Sequence, residues 1–88
     1  MRPSYTVLVK PSAEKEMDRL PSSVFDRITA RILKLASEPR PRGCRRLRGR
    51  DEYRLRCGDY RILYAVDDDD GVVEIMSVGH RREVYRNL

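Results

Sequence analysis

Arginines stand at positions 54, 56 and 61, inside Tyr53–Val66, YRLRCGDYRILYAV. The last eleven residues, VGHRREVYRNL, add His80, Arg81 and Tyr85. A guanidinium group is planar, permanently charged and matched to phosphate oxygens in a two-point grip. Held in place before reaction, such donors stabilise the negative charge that develops on a phosphoryl group. A tyrosine ring offers a stacking surface for a base. The one histidine of the chain is the side chain suited to proton transfer near neutral pH. Together these types suit chemistry at a nucleic-acid phosphate.

Their spacing says how they meet. If Gly58-Asp59 is a two-residue turn, residues 57 and 60, 56 and 61, 55 and 62, and 54 and 63 face each other. Tyr53, Leu55 and Cys57 then share one sheet face with Tyr60, Ile62 and Tyr64. Arg54 and Arg56 share the other with Arg61 and Leu63. Like charges directly opposite cost a few tenths of a kcal/mol up to about one. Three cations clustered in mid-hairpin break local consistency, as functional sites do. The plainer reading is a set of edge-protecting charges. The next strand-like run returns antiparallel and ends near Gly79, which is expected to deliver His80, Arg81 and Tyr85 beside those arginines.

Charge distribution supports a polyanionic partner. The 88 residues carry net charge +5. Residues 39–64 hold nine arginines, no lysine and three acids, whereas residues 65–88 hold three arginines and six acids. An ordinary solvated face more often mixes lysine with arginine, so the segment points to nucleic acid. Arg45, Arg46, Arg48 and Arg50 join Arg54 as candidate RNA- or phosphate-binding residues, within a strip from Arg40 to Arg50. Arg82 and Arg86 read as solvated charge.

The elements that must position these groups follow from periodicity. SYTVLVK (Ser4–Lys10) alternates as a strand. AEKEMDRL after Ser12, a candidate N-cap, sets Ala13, Met17 and Leu20 on one helical face. SSVFDRITARILKLASE follows Pro21, with Ser23 and Asp26 in capping-box spacing. Val24, Ile28, Ile32 and Leu35 form its apolar stripe, while Arg27, Arg31 and Lys34 lie off it. PRPRGCRRLRG is a basic connection. EYRLRC, DYRILYAV and VVEIMSV are strands joined at Gly58-Asp59 and at DDDDG, a solvated hairpin tip. The expected fold class is α+β, in the order β-α-α-β-β-β, with a helical hairpin packed on a small, mostly antiparallel sheet. Residues 1–88 are read as one domain. No secretory signal and no membrane-spanning run is read, so the expected location is the cytoplasm. Cys44 and Cys57 are expected as free thiols. With one histidine and no paired cysteine motif, neither a metal site nor a cofactor is expected.

The order of a helical hairpin, LRG (Leu47–Gly49), YRLRCGDYRILYAV and then VGHRREVYR resembles the RelE branch of the RelE/ParE superfamily of bacterial and archaeal toxins. The resemblance spans nearly the whole chain, and GDYRILY with VGHRREVY at this separation is its specific signal. It implies a ribosome-dependent, metal-independent endoribonuclease that cuts A-site mRNA. There the ribose 2′-hydroxyl attacks the adjacent phosphate to leave a 2′,3′-cyclic phosphate. It further implies a cognate antitoxin, the ribosome and its mRNA as partners, with no small-molecule cofactor and no membrane. Position by position, Arg61 falls on the arginine that stabilises the transition state. Arg81 falls on a second arginine, Tyr85 on the base-stacking tyrosine, and Arg54 and Arg56 on basic positions of the preceding strand. Some relatives carry lysine at these last two. Arginine does not give up its proton, so Arg56 is assigned to phosphate binding, and His80 and Tyr85 are left as candidates for proton transfer. For His80 the alternative is a surface residue without a catalytic part.

Two other functions fit the same fold. One is a ParE-like non-nuclease that binds DNA gyrase, which would have no need of a phosphate cage. The other is an RNA-binding module that uses its arginine strip without cleavage.

Overall fold

A computed structural model describes residues 4–47 and 51–80. Strand β1 (Thr6–Val9) leads directly into helix α1 (Pro11–Asp18), and α2 (Ser22–Lys34) follows. Both helices start two residues earlier than the caps at Ser12 and Ser23 imply. Pro11 takes the first position of α1, where its missing N–H costs nothing. Pro21 occupies the N-cap of α2, with no side-chain cap bond, so the capping box of Ser23 and Asp26 is not formed. The apolar stripes behave as read. Ala13, Met17, Val24, Ile28, Ile32 and Leu35 are all buried, and Leu20 packs against them.

After the helices come β2 (Arg45–Arg46), β3 (Glu52–Cys57), β4 (Tyr60–Asp67) and β5 (Val72–His80). The two-residue β2 lies within the basic connection, where periodicity gives no strand. The sheet runs β1-β5-β4-β3-β2. Among the described residues only β1 with β5 is parallel, and the other three pairings are antiparallel. The helical pair covers one face, where Tyr53, Leu55, Cys57, Ile62, Tyr64, Val66, Val73, Ile75 and Val78 complete the core. The α+β expectation holds, with helices on an open, mostly antiparallel sheet. No helix among the described residues is long and apolar enough to cross a membrane.

Strand β5 carries one irregularity. Near the acidic turn it pairs with β4 as Val66↔Val73 and Tyr64↔Ile75, but farther along as Leu63↔Ser77 and Arg61↔Gly79. Met76 is the extra residue of a bulge. Ile75 and Val78, three apart, can therefore both face the core, which strict alternation forbids.

Three long-range ties fix the frame. Arg40 donates both terminal nitrogens to Asp68 at 3.1 and 2.8 Å and its Nε to the Tyr53 hydroxyl at 2.8 Å. Tyr5 donates to the same Asp68 at 2.6 Å. Tyr64, buried, donates its hydroxyl to the Pro39 carbonyl at 2.8 Å. Arg40 is thus committed to the hairpin tip and does not belong to a free RNA-docking strip. Asp68 in turn is more than a solvated tip residue.

Candidate phosphate-binding site

The β3–β4 hairpin has the register that its sequence demands: Cys57↔Tyr60, Arg56↔Arg61, Leu55↔Ile62 and Arg54↔Leu63. Gly58 makes the tight connection at φ +61°, while Asp59 stays in the ordinary region, as expected for a turn with glycine at its first central position. The alternation then sends Arg54, Arg56 and Arg61 to the face away from the helices. Leu63, only 2% exposed, lies among them.

Strand β2 adds a fourth arginine. Arg45 lies opposite Arg54 in the β2–β3 ladder, so two successive cross-strand arginine pairs, Arg45/Arg54 and Arg56/Arg61, share one face. A concavity of about 330 Å³ is lined by Gly43, Arg45, Arg54, Arg56 and Arg61. Those five are its only lining residues among the described ones, and no acid is among them. Arg56 directs its Nε to the Gly58 carbonyl at 3.4 Å. Arg61 places one nitrogen 3.5 Å from the same oxygen and 3.3 Å from the Tyr60 carbonyl. These long contacts to neutral acceptors orient the guanidinium groups without cancelling their charge. Gly79 stands opposite Arg61, and a Cβ there would meet nothing within 4 Å. Among the described residues, position 79 thus places no side chain beside Arg61.

Two of the expected residues are placed elsewhere. Arg46 lies opposite Tyr53, on the other face from Arg45, and pairs with Asp51 at 3.2 Å. Adjacent arginines in a strand cannot both face one concavity. His80 reaches the correct end of β5 but lies opposite Tyr60, with ring centroids 5.7 Å apart, edge to face. The Met76 bulge is the reason. Continued without it, the register set near the acidic turn would put His80 on the arginine face; the extra residue inverts every side chain beyond it. A sequence signal for the bulge exists in the three-residue spacing of Ile75 and Val78. Arg48, Arg50, Arg81 and Tyr85 lie outside the described residues.

The chemistry open to the site is set by its groups. Four guanidinium side chains on one open face, next to a strand position without a side chain, can grip a phosphate from several directions. They can also hold the extra charge of a five-coordinate phosphorus.

The chain is similar to proteins of one kind. Residues 7–85 match the family of ParE toxins of type II toxin–antitoxin systems. Toxin RelG of Mycobacterium tuberculosis is 34% identical over 90 residues, covering 93% of this chain and 97% of RelG. The fold matches the toxin–antitoxin complex RelBE2 of M. tuberculosis at TM-score 0.79 and 31% identity, over 89% of this chain and 99% of that one. It also matches the archaeal RelE–RelB complex of Pyrococcus horikoshii at 0.78 and 30%, over 92% and 99%. With the helical pair, the open sheet and the arginine face already in view, these likenesses agree: the chain belongs to the RelE/ParE superfamily of toxin–antitoxin toxins, as a RelE-type member.

Proposed function

We propose that this chain is an endoribonuclease that cuts mRNA in the ribosomal A site and is held in check by a cognate antitoxin. The observation that carries this reading is the double arginine pair on the open face. Two like-charged pairs in one hairpin region cost stability, which an anionic ligand would offset. In the proposed reaction the ribose 2′-oxygen loses its proton and bonds to the adjacent phosphorus. The bond from phosphorus to the 5′-oxygen breaks and that oxygen takes up a proton. The products are a 2′,3′-cyclic phosphate and a 5′-hydroxyl. Arg61 and Arg56 stabilise the charge on the non-bridging oxygens, and Arg54 and Arg45 bind flanking phosphates. Arg81 and Tyr85 are proposed, from the family motif, as a further charge donor and the base-stacking ring. Arg48 and Arg50 are proposed as contacts to RNA backbone. Relatives solved as RelB–RelE complexes support an antitoxin partner, and the arginine face favours an acidic or amphipathic segment of it.

The test is mRNA cleavage on programmed ribosomes, read from 5′ ends by primer extension. Arg61→Ala is expected to lower the single-turnover rate by about 10²–10³-fold. Unchanged cleavage in that variant would remove Arg61 from the transition state. The match to the ParE family keeps a second reading in play, a non-nuclease that binds DNA gyrase. A preparation that leaves transcripts whole but stops gyrase-dependent supercoiling would establish it instead.

A further inference from the structure

A second basic groove lies on the opposite side of the Gly58–Asp59 turn. It has a volume of about 240 Å³ and is lined by Arg27, Ala30, Arg31 and Lys34 of α2 with Cys57 and Gly58 of the hairpin. The helical residues stand at i, i+3, i+4 and i+7, a single exposed stripe along the flank of α2 beside its buried Val24, Ile28 and Ile32. Arg27, Arg31 and Lys34 are exposed, and none of them has an ion pair among the described residues. The walls between the cations are built from the small residues Ala30 and Gly58, so a ligand backbone can approach closely. These cations are not used by the core, by the long-range ties or by the arginine face.

The two basic regions meet at one residue. Gly58 lines the helix-side groove, and its carbonyl oxygen is the acceptor on which both Arg56 and Arg61 lean. Among the described residues, neither basic region has an acid in its lining, and Asp59 is the acid of the turn between them. We infer that the RNA strand bound at the arginine face continues around the Gly58–Asp59 turn. Its next phosphates would lie against Arg27, Arg31 and Lys34. This rests on the proposed ribonuclease reading and adds to it a direction for the strand and a second, non-cleaving anchor. Contacts of this kind read the backbone and carry no base information.

The experiment compares single-stranded oligouridylates of about three and about ten nucleotides, lengths that bracket the smallest single-strand sites. Binding is measured as a function of salt in an Arg61→Ala background, which allows the protein to be produced. The triple variant Arg27→Ala/Arg31→Ala/Lys34→Ala is set beside a charge-matched control in and flanking α1, Lys10→Ala/Lys15→Ala/Arg19→Ala. Losing three phosphate contacts should lower the slope of log K against log salt by about 2 for the longer oligomer. The short oligomer and the α1 control should keep the parent slope. Arg27→Lys/Arg31→Lys should restore most of the longer oligomer's slope, because point charges suffice for backbone contacts. An equal slope in parent and triple variant would overturn the path. So would an equal loss for both lengths, or a loss seen only with a double-stranded RNA of the same length. A loss confined to phosphatidylglycerol vesicles would reassign the groove to lipid. A parent without salt-sensitive RNA binding would overturn the path as well, whereas the ribonuclease reading stands or falls separately, by mRNA cleavage on programmed ribosomes.

Discussion

Arg61 and its neighbour across the ladder, Gly79, define the most testable point of the molecule. A side chain at position 79 would point into open space on the arginine face. Gly79→Glu is therefore expected to fold, since an opposite-charge pair across a ladder contributes about 0.2–1 kcal/mol. It should lose cleavage and RNA affinity because its carboxylate occupies Arg61. Gly79→Gln serves as the neutral control and should keep far more activity. Full activity in the Glu variant would move the reaction away from this face. His80 supplies the converse test. Its ring lies against Tyr60 on the helix side, so His80→Ala should lose less than the roughly 10²-fold that a proton-transfer group contributes at minimum. A larger loss, with a pH–rate limb removed, would restore it as an acid or base. Arg46 shows the same lesson in charge, being paired to Asp51 on the other face from Arg45.

At the level of elements, strand β5 has an edge problem that α1 solves. Strand β1 accompanies β5 only from Val72 to Ile75, where the Lys10 amide donates to the Ile75 carbonyl and the chain turns into the helix. Beyond that point Glu16 of α1 takes over. Its carboxylate accepts the Ser77 hydroxyl and the Val78 amide, both at 3.0 Å to one oxygen. Glu16→Ala should cost about 1–3 kcal/mol in denaturant unfolding, the penalty of an unsatisfied buried donor, while Glu16→Gln should retain part of it. A neutral Glu16→Ala would mean that water replaces the carboxylate freely. The same edge holds the part of β5 beyond the bulge, so its loss should also loosen the register of Gly79 with Arg61.

Across the whole molecule, the tie of Arg40 to Asp68 joins the segment after α2 to the β4–β5 turn, with Tyr5 bringing in the stretch before β1. The Arg40 hydrogen bonds first, and the Tyr5 hydroxyl second, lower the Asp68 carboxyl from 3.8 to about 2. A carboxyl depressed in the folded state gives stability that is present above its unfolded value. That stability is lost as pH falls toward the folded one. The thermal midpoint should therefore fall between pH about 4 and about 2 more steeply in the parent than in Asp68→Asn. Parallel pH profiles for the two proteins would show that this exposed tie contributes nothing. Arg40→Ala should flatten the same window.

The sequence by itself determined what depends on neighbours along the chain. Alternation and the Gly58–Asp59 turn placed Arg54, Arg56 and Arg61 on one face, because a two-residue turn leaves no freedom of register. Helical spacing likewise picked out the buried stripes of α1 and α2. Only tertiary structure decided the rest. The pairing of Arg45 with Arg54 needed the short β2 ladder. Arg40 was drawn out of the basic strip by Asp68, 28 positions away. The face of His80 turned on one bulged residue, Met76, whose placement lets Ile75 and Val78 both reach the core. Each of these outcomes is a competition between distant groups for one partner or one face, and local periodicity holds no record of who wins.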